Sequence, residues 1–152
     1  MKKNLFKEIA FCTDFSENAN EAFLTAKDLA SRYGANLHIM HVVLTIAAPA
    51  TDFFIPEEHD AKFVEKATHT AQGSIEELYL KKLPKDQNRF VYILPGYPAT
   101  EIIEIVKEKN IGLIVMGAHG LTGLAHVLFG STANRVVRKA PCSVLTVRPS
   151  FG

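Results

Sequence analysis

The chain is 152 residues long, 47% apolar and 22% charged, with a formal net charge of +1. That length suits one domain spanning residues 1–152, large enough to bury a core without staples, and the balance excludes a chain disordered throughout. Lys and Arg are scattered rather than massed, so no basic tract speaks for nucleic acid. The two cysteines, Cys12 and Cys142, are too few and too far apart for a secreted disulfide scaffold or a CxxC centre.

The opening Met1-Lys2-Lys3-Asn4 is basic, but no long apolar stretch follows, so no signal peptide is expected. Ile9-Ala10-Phe11-Cys12 reads as a buried strand that stops at Thr13-Asp14. Ala19, Ala22, Phe23, Ala26, Leu29, Ala30 and Tyr33 recur at steps of three and four, one face of a helix. Ser16 or Asp14 caps its start and Gly34 its end. Leu37–Val43 is a second strand, apolar on both sides except for His38 and His41, as a parallel strand covered by helices should be. The apolar run from Leu37 to Ala50 is broken by both histidines and Pro49 and is too short to span a bilayer. A cytoplasmic, reducing setting is expected, with both cysteines as small buried hydrophobes.

Thr45–Glu58 carries Pro49 and Pro56 and no period, and reads as a loop. Val64, Ala67, Ala71, Ile75 and Leu78 mark a second helix that Pro84 closes. Phe90–Leu94 is a third strand and Pro95-Gly96-Tyr97-Pro98 a turn. Ala99, Ile102, Ile103 and Val106 form the stripe of a third helix, and Ile111–Met116 is a fourth strand. A glycine-rich stretch runs from Gly117 to Gly130. A short helix through Ala133, Val136, Val137 and Ala140 follows, and Val144–Val147 is the last strand. Regular βα alternation with helix-length connections means a parallel sheet, right-handed crossovers and helices on both faces.

Ligands of such sheets bind beyond the carboxyl ends of the strands, where the strand order reverses. Two loops stand out. Cys12-Thr13-Asp14-Phe15-Ser16 offers a hydroxyl and a carboxylate at a strand end, although Asp and Ser before a helix also cap it routinely. The stretch Met116 to Thr132 places Gly117, Gly120, Gly123 and Gly130 between a buried strand and a helix start. Glycines let main-chain N–H groups approach a ligand and tolerate positive φ. Gly130-Ser131-Thr132 opens a helix whose free N–H groups and dipole favour an anion, and a phosphate chain is the natural occupant. The loop is neither a Walker A sequence, since the Lys is missing, nor a GxGxxG after the first strand.

The spacing Gly117-x2-Gly120-x9-Gly130-Ser131 resembles the universal stress protein nucleotide motif, G-x2-G-x9-G-S/T. The Thr-Asp-Phe-Ser turn at 13–16, the strand Leu37–Val43, Gly96-Tyr97-Pro98 and the ending Ala140–Val147 resemble that family too, over nearly the whole chain. The resemblance implies a Rossmann-like sheet (adenine nucleotide alpha hydrolase-like) of five parallel strands in the order 3-2-1-4-5. It implies ATP as ligand, or ADP or AMP. Thr13 and Asp14 would lie near the adenosine, with Asp14 at the ribose or near a hydrated magnesium ion. Val42 and Met116 would hold the base. Gly117 and Gly120 would hold the ribose and phosphate turn, and Gly130, Ser131, Thr132 and Ala133 the phosphates. It also implies a homodimer through Val144–Val147, antiparallel across a two-fold axis. Cys12, Leu121, His126 and Thr132 depart from common family patterns, and a missing positive charge near the phosphates would weaken ATP relative to AMP.

No Ser-His-Asp or Cys-His set is evident, and His119 is expected to support the loop by hydrogen bonds. His38 and His41 read as satisfied core histidines. His59 and His69 lack metal-ligand spacing, and Glu101 and Glu104 read as a solvated helix face. Phosphoryl transfer needs a placed metal, positive charge and a positioned nucleophile, so fast turnover is unsupported. Three readings remain at this stage: an ATP-binding regulatory or protective stress protein, a slow ATPase or nucleotidyl-transferring enzyme, and a structural stress protein that binds no nucleotide.

Overall fold

The computed structural model of the chain describes residues 4–45, 60–120 and 129–150. In order along the chain, the first half holds β1 (Glu8–Cys12), α1 (Glu17–Tyr33), β2 (Asn36–Leu44), α2 (Asp60–Leu78) and a 3-10 turn at Leu80–Lys82. The second half holds β3 (Arg89–Gly96), α3 (Pro98–Glu108), β4 (Leu113–Gly117), α4 (Ser131–Lys139) and β5 (Ser143–Val147). All strands pair in parallel in the order β3-β2-β1-β4-β5, as the family resemblance implies. The 46–59 segment read as a loop, His59, and the part of the glycine stretch from 121 to 128 with Leu121, Gly123 and His126 lie outside the described residues.

Side chains alternate between the two faces of a strand, so each strand feeds two cores. Ile9, Phe11, Leu37, Ile39, Leu113 and Val115 pack under Ala22, Phe23, Ala26 and Ala30 of α1 and Ile75 of α2. Ala10, Cys12, Met40, Ile114 and Met116 pack under Ile102 and Val106 of α3 and Ala133 and Val136 of α4. Burial on both faces explains why β1, β2 and β4 read as nearly unbroken apolar runs. Both cysteines belong to the second core or pack against it. Burial, with the nearby Cys142 thiol second, pushes the Cys12 thiol up to about 12, and burial raises that of Cys142 as well, so neither is an activated nucleophile.

Of the two candidate caps of α1, Ser16 is the one used. Its Oγ accepts the Ala19 N–H at 3.1 Å, while Asp14 Oδ1 accepts the N–H of Ser16 at 3.0 Å and shapes the turn before the helix. Gly34 ends α1 at φ 58°, a left-handed conformation that costs glycine nothing.

Three element ends differ from expectation. Helix α2 stops at Leu78, well before Pro84, because Tyr79 turns out of helical geometry (φ −126°) and drops its ring wholly into the core. Strand β3 continues through Pro95 to Gly96, replacing the expected turn. It lies at a sheet edge, where a proline's missing N–H breaks no ladder, and Gly96 at φ 144° makes the turn into α3. Strand β4 begins at Leu113 rather than Ile111, since the Ile111 N–H is taken by the Val106 carbonyl of α3 at 3.0 Å. The expected solvated face of α3 holds for Glu104, whereas Glu101 is half-buried over Gly96.

Both strand histidines are satisfied, as expected of core residues. His38 Nε2 meets Glu8 Oε2 at 2.5 Å and its Nδ1 meets the Tyr92 hydroxyl at 3.0 Å. His41 Nδ1 meets the Thr13 carbonyl at 2.8 Å. Asn36 adds a bond from its Nδ2 to Glu8 Oε1, and Asn88 one to Asn36 Oδ1, at the end of the sheet opposite the carboxyl ends of the strands.

Candidate functional site

The sheet order reverses between β1 and β4, and beyond their carboxyl ends lies a cavity of about 250 Å³. The structure brings every residue singled out in the sequence to its walls: Thr13, Asp14, Val42, Met116, Gly117, Gly120, Gly130, Ser131, Thr132 and Ala133. Sequence reading missed Met40, Pro98 and Ile102, which with Val42 and Met116 give the cavity an apolar lining, and also Ala19 and Ala118; Cys12 and His119, read as a core hydrophobe and a loop support, line it too. The polar groups gather at Asp14 and the start of α4.

Each loop is held by a side chain that the sequence reading did not single out. In the β1–α1 loop, Tyr79 Oη donates to Asn20 Oδ1 at 2.7 Å, so its single proton is spent there. The Thr13 hydroxyl, 2.6 Å away, must then donate to Tyr79 Oη, and Thr13 Oγ1 accepts the Phe15 N–H at 2.9 Å. Thr13 lines the cavity, but its hydroxyl is committed to this network. Burial pushes the Tyr79 phenol up to about 12; the bond from Thr13 opposes the shift and the Asp14 charge adds to it. The network holds Phe15 at φ 65°, uncommon for a residue with a side chain, with its ring 4.4 Å from His41.

In the β4–α4 loop, the motif glycines do not adopt positive φ, contrary to one reason considered for them. What they lack is the Cβ. At Gly120 a Cβ would stand 2.6 Å from Asp14 Oδ2, and at Gly117 it would stand 2.9 Å from Asn18 Oδ1 and 3.2 Å from the Asn18 main chain. Asn18, buried near the start of α1, was not foreseen. Its Oδ1 accepts the His119 N–H at 2.9 Å and its Nδ2 donates to the Val147 carbonyl at 2.9 Å. The support expected from His119 thus comes through its main-chain N–H.

Gly130 caps α4, but its own N–H donates to the Ala118 carbonyl at 2.7 Å and is not a free donor. The first helical bond runs from Asn134 N–H to Gly130 O at 2.9 Å, and no side chain caps the helix. Among the described residues, the N–H groups of Ser131, Thr132 and Ala133 therefore have no acceptor. They stand at the positive end of the helix dipole with no acidic residue in the first turn. Among the described residues, Asp14 is the one carboxylate in the lining, and no group of three or more His, Cys, Asp or Glu could hold a metal. Such a donor set fits a magnesium ion only if phosphate and water oxygens supply most of its ligands.

These features define a doubly wound parallel α/β protein with an anion-attracting, half-apolar crevice at its topological switch point. The chain belongs to the universal stress protein family, whose profile matches residues 5–148. Universal stress protein MJ0531 of Methanocaldococcus jannaschii is 33% identical over 149 residues, covering 96% of this chain and 84% of that protein. The solved structure of MJ0577, from the same organism, superposes with a TM-score of 0.83 at 28% identity, covering 97% of this chain and 99% of that one. The universal stress protein of Archaeoglobus fulgidus in complex with dAMP shares the fold at a TM-score of 0.62 and 17% identity, covering 93% of this chain and 97% of that one. Among the described residues, no helix is long and apolar enough to cross a membrane.

Proposed function

We propose that this chain binds an adenine nucleotide, ATP in the first place, in the crevice between β1 and β4, and serves a regulatory or protective role in the stress response of the cytoplasm. The observation that carries the reading is the amide trio of Ser131, Thr132 and Ala133, which finds no acceptor among the described residues, beside a cavity also lined by the apolar Met40, Val42, Ile102 and Met116. A polyphosphate satisfies the first and a flat purine the second. Met40, Val42 and Met116 would hold the base, Asp14 the ribose or a magnesium ion carried by the phosphates, and the hydroxyls of Ser131 and Thr132 would add donors. Gly117 and Gly120 would let the loop lie close to the ribose and phosphates, and Gly130 would leave space beside them. The dAMP held by the Archaeoglobus relative is of the same chemical class. With a single carboxylate among the described lining residues, binding rather than rapid turnover fits the site. Among the described residues, strand β5 has β4 as its one neighbour in the sheet, and its outer edge suits antiparallel pairing with a second copy through Val144–Val147.

The test is calorimetry with ATP, together with mass spectrometry of nucleotide released from the purified, denatured protein. Gly130→Leu is the variant of choice, because a Cβ there meets its nearest neighbour at an ordinary 3.5 Å and the rest of the side chain would fill the crevice. Loss of ATP binding with an unchanged circular dichroism spectrum is expected. Undiminished affinity in that variant would remove the site from consideration.

A further inference from the structure

We infer that Asn18 is a positioning residue for the anion-binding end of the crevice: its carboxamide clamps the first peptides of the glycine loop to the end of β5. The inference rests on the nucleotide reading above and adds what shapes that site.

The N–H and C=O of a planar trans peptide point in opposite directions. In the Ala118–His119 peptide, the N–H is taken by Asn18 Oδ1 at 2.9 Å and the C=O by the Gly130 N–H at 2.7 Å. In the preceding peptide, the Ala118 N–H goes to the Val147 carbonyl at 2.8 Å, the same oxygen that accepts from Asn18 Nδ2. One buried side chain therefore touches both the loop and the strand end that anchors it. The loop's entry after β4 and its exit at Gly130 are tied through a peptide that cannot flip while Asn18 holds it. Gly130 is the cap of α4, so its position sets where the Ser131, Thr132 and Ala133 amides point.

Gly117 belongs to the same device. A Cβ there would stand 2.9 Å from the carboxamide oxygen of Asn18 and press on its main chain at 3.2 Å, so the first glycine of the motif also makes room for α1.

The experiment measures amide hydrogen exchange of His119 and Gly130 in nucleotide-free protein, and the dissociation constant for ATP, in wild type and Asn18→Leu. Leucine fills the same space without polar atoms. Asn18→Ser, too short to reach either partner, serves if the leucine variant does not fold. The expected result is faster exchange at both amides and ATP affinity reduced about tenfold, the worth of one net hydrogen bond. A residue that merely stabilised the fold would lower the melting temperature and leave the dissociation constant alone. An affinity within about twofold of wild type overturns the inference. If wild-type protein itself ignores ATP, the nucleotide reading falls, and the exchange rates still judge the clamp: unchanged protection at His119 and Gly130 sinks it independently.

Discussion

Replacing Tyr79 by Phe removes one oxygen from a ring that is fully buried. The ring keeps its neighbours, Phe11 at 5.0 Å and Phe23 at 4.8 Å between centroids, so no cavity opens. What changes is the hydrogen bonding. Asn20 is a partly exposed residue whose Oδ1 can turn to water, but the Thr13 hydroxyl, in a residue only 6% exposed, loses its acceptor. A stranded buried donor costs about 1–3 kcal/mol, so we expect a loss near 2 kcal/mol, or about 4–8 °C in melting temperature for a chain of this size. Urea unfolding followed by circular dichroism reads it. The double variant Thr13→Val/Tyr79→Phe should be less damaged than the two single losses together, because no hydroxyl is left to strand, with a coupling of at least about 0.5 kcal/mol. The alkaline limb gives a second readout. The unfolded phenol releases its proton near 10 and the folded one near 12, so stability is fully present below pH 10 and is lost as pH rises toward 12. Tyr79→Phe should remove that part of the dependence. A variant within about 0.5 kcal/mol of wild type, or a strictly additive cycle, would show that the Thr13–Tyr79–Asn20 network does not hold the β1–α1 loop.

One further substitution and one reaction probe other parts of the molecule. Gly112→Ala should cost about 1–3 kcal/mol or more, because the new Cβ would stand 2.2 Å from the Leu5 main-chain oxygen; denaturant unfolding checks this, and a neutral result would refute the packing of the N-terminal turn against β4. In the folded protein at neutral pH, alkylation followed by mass spectrometry should label half-buried Cys142 before Cys12, a residue only 6% exposed whose thiol is pushed up to about 12, and denaturant should abolish the difference.

Much of the fold was legible because it rests on patterns that local physics enforces. Strands buried on both faces are apolar throughout, α1 carries its stripe between Ser16 and Gly34, and the glycine stretch falls between a core strand and a helix start. The misjudged ends belong to residues whose behaviour is tertiary. Tyr79 ends α2 because a hydroxyl network and two phenylalanine rings pull its side chain inward. Pro95 sits in a strand because that strand is an edge, which sequence alone does not reveal. The cavity's position followed from the topology, yet the two residues that hold its loops did not. Asn18 lies four and eight residues before Ala22 and Ala26, on the apolar stripe of α1, and a carboxamide there was a readable sign of a buried polar contact. Its partners, His119 and Val147, are far along the chain, and no local pattern joins them to it.

The stitching of Glu8, Asn36, His38, Asn88 and Tyr92 has a consequence for how this protein tolerates change. It fastens β1, β2 and β3 side by side at the end of the sheet remote from the crevice, while the crevice end carries loops tied by a few single side chains. Register is guarded at one end and adaptability is concentrated at the other. Variation in the crevice loops can therefore accumulate without loosening the strand alignment, whereas an equally small change at His38 would put the whole three-strand seam at risk.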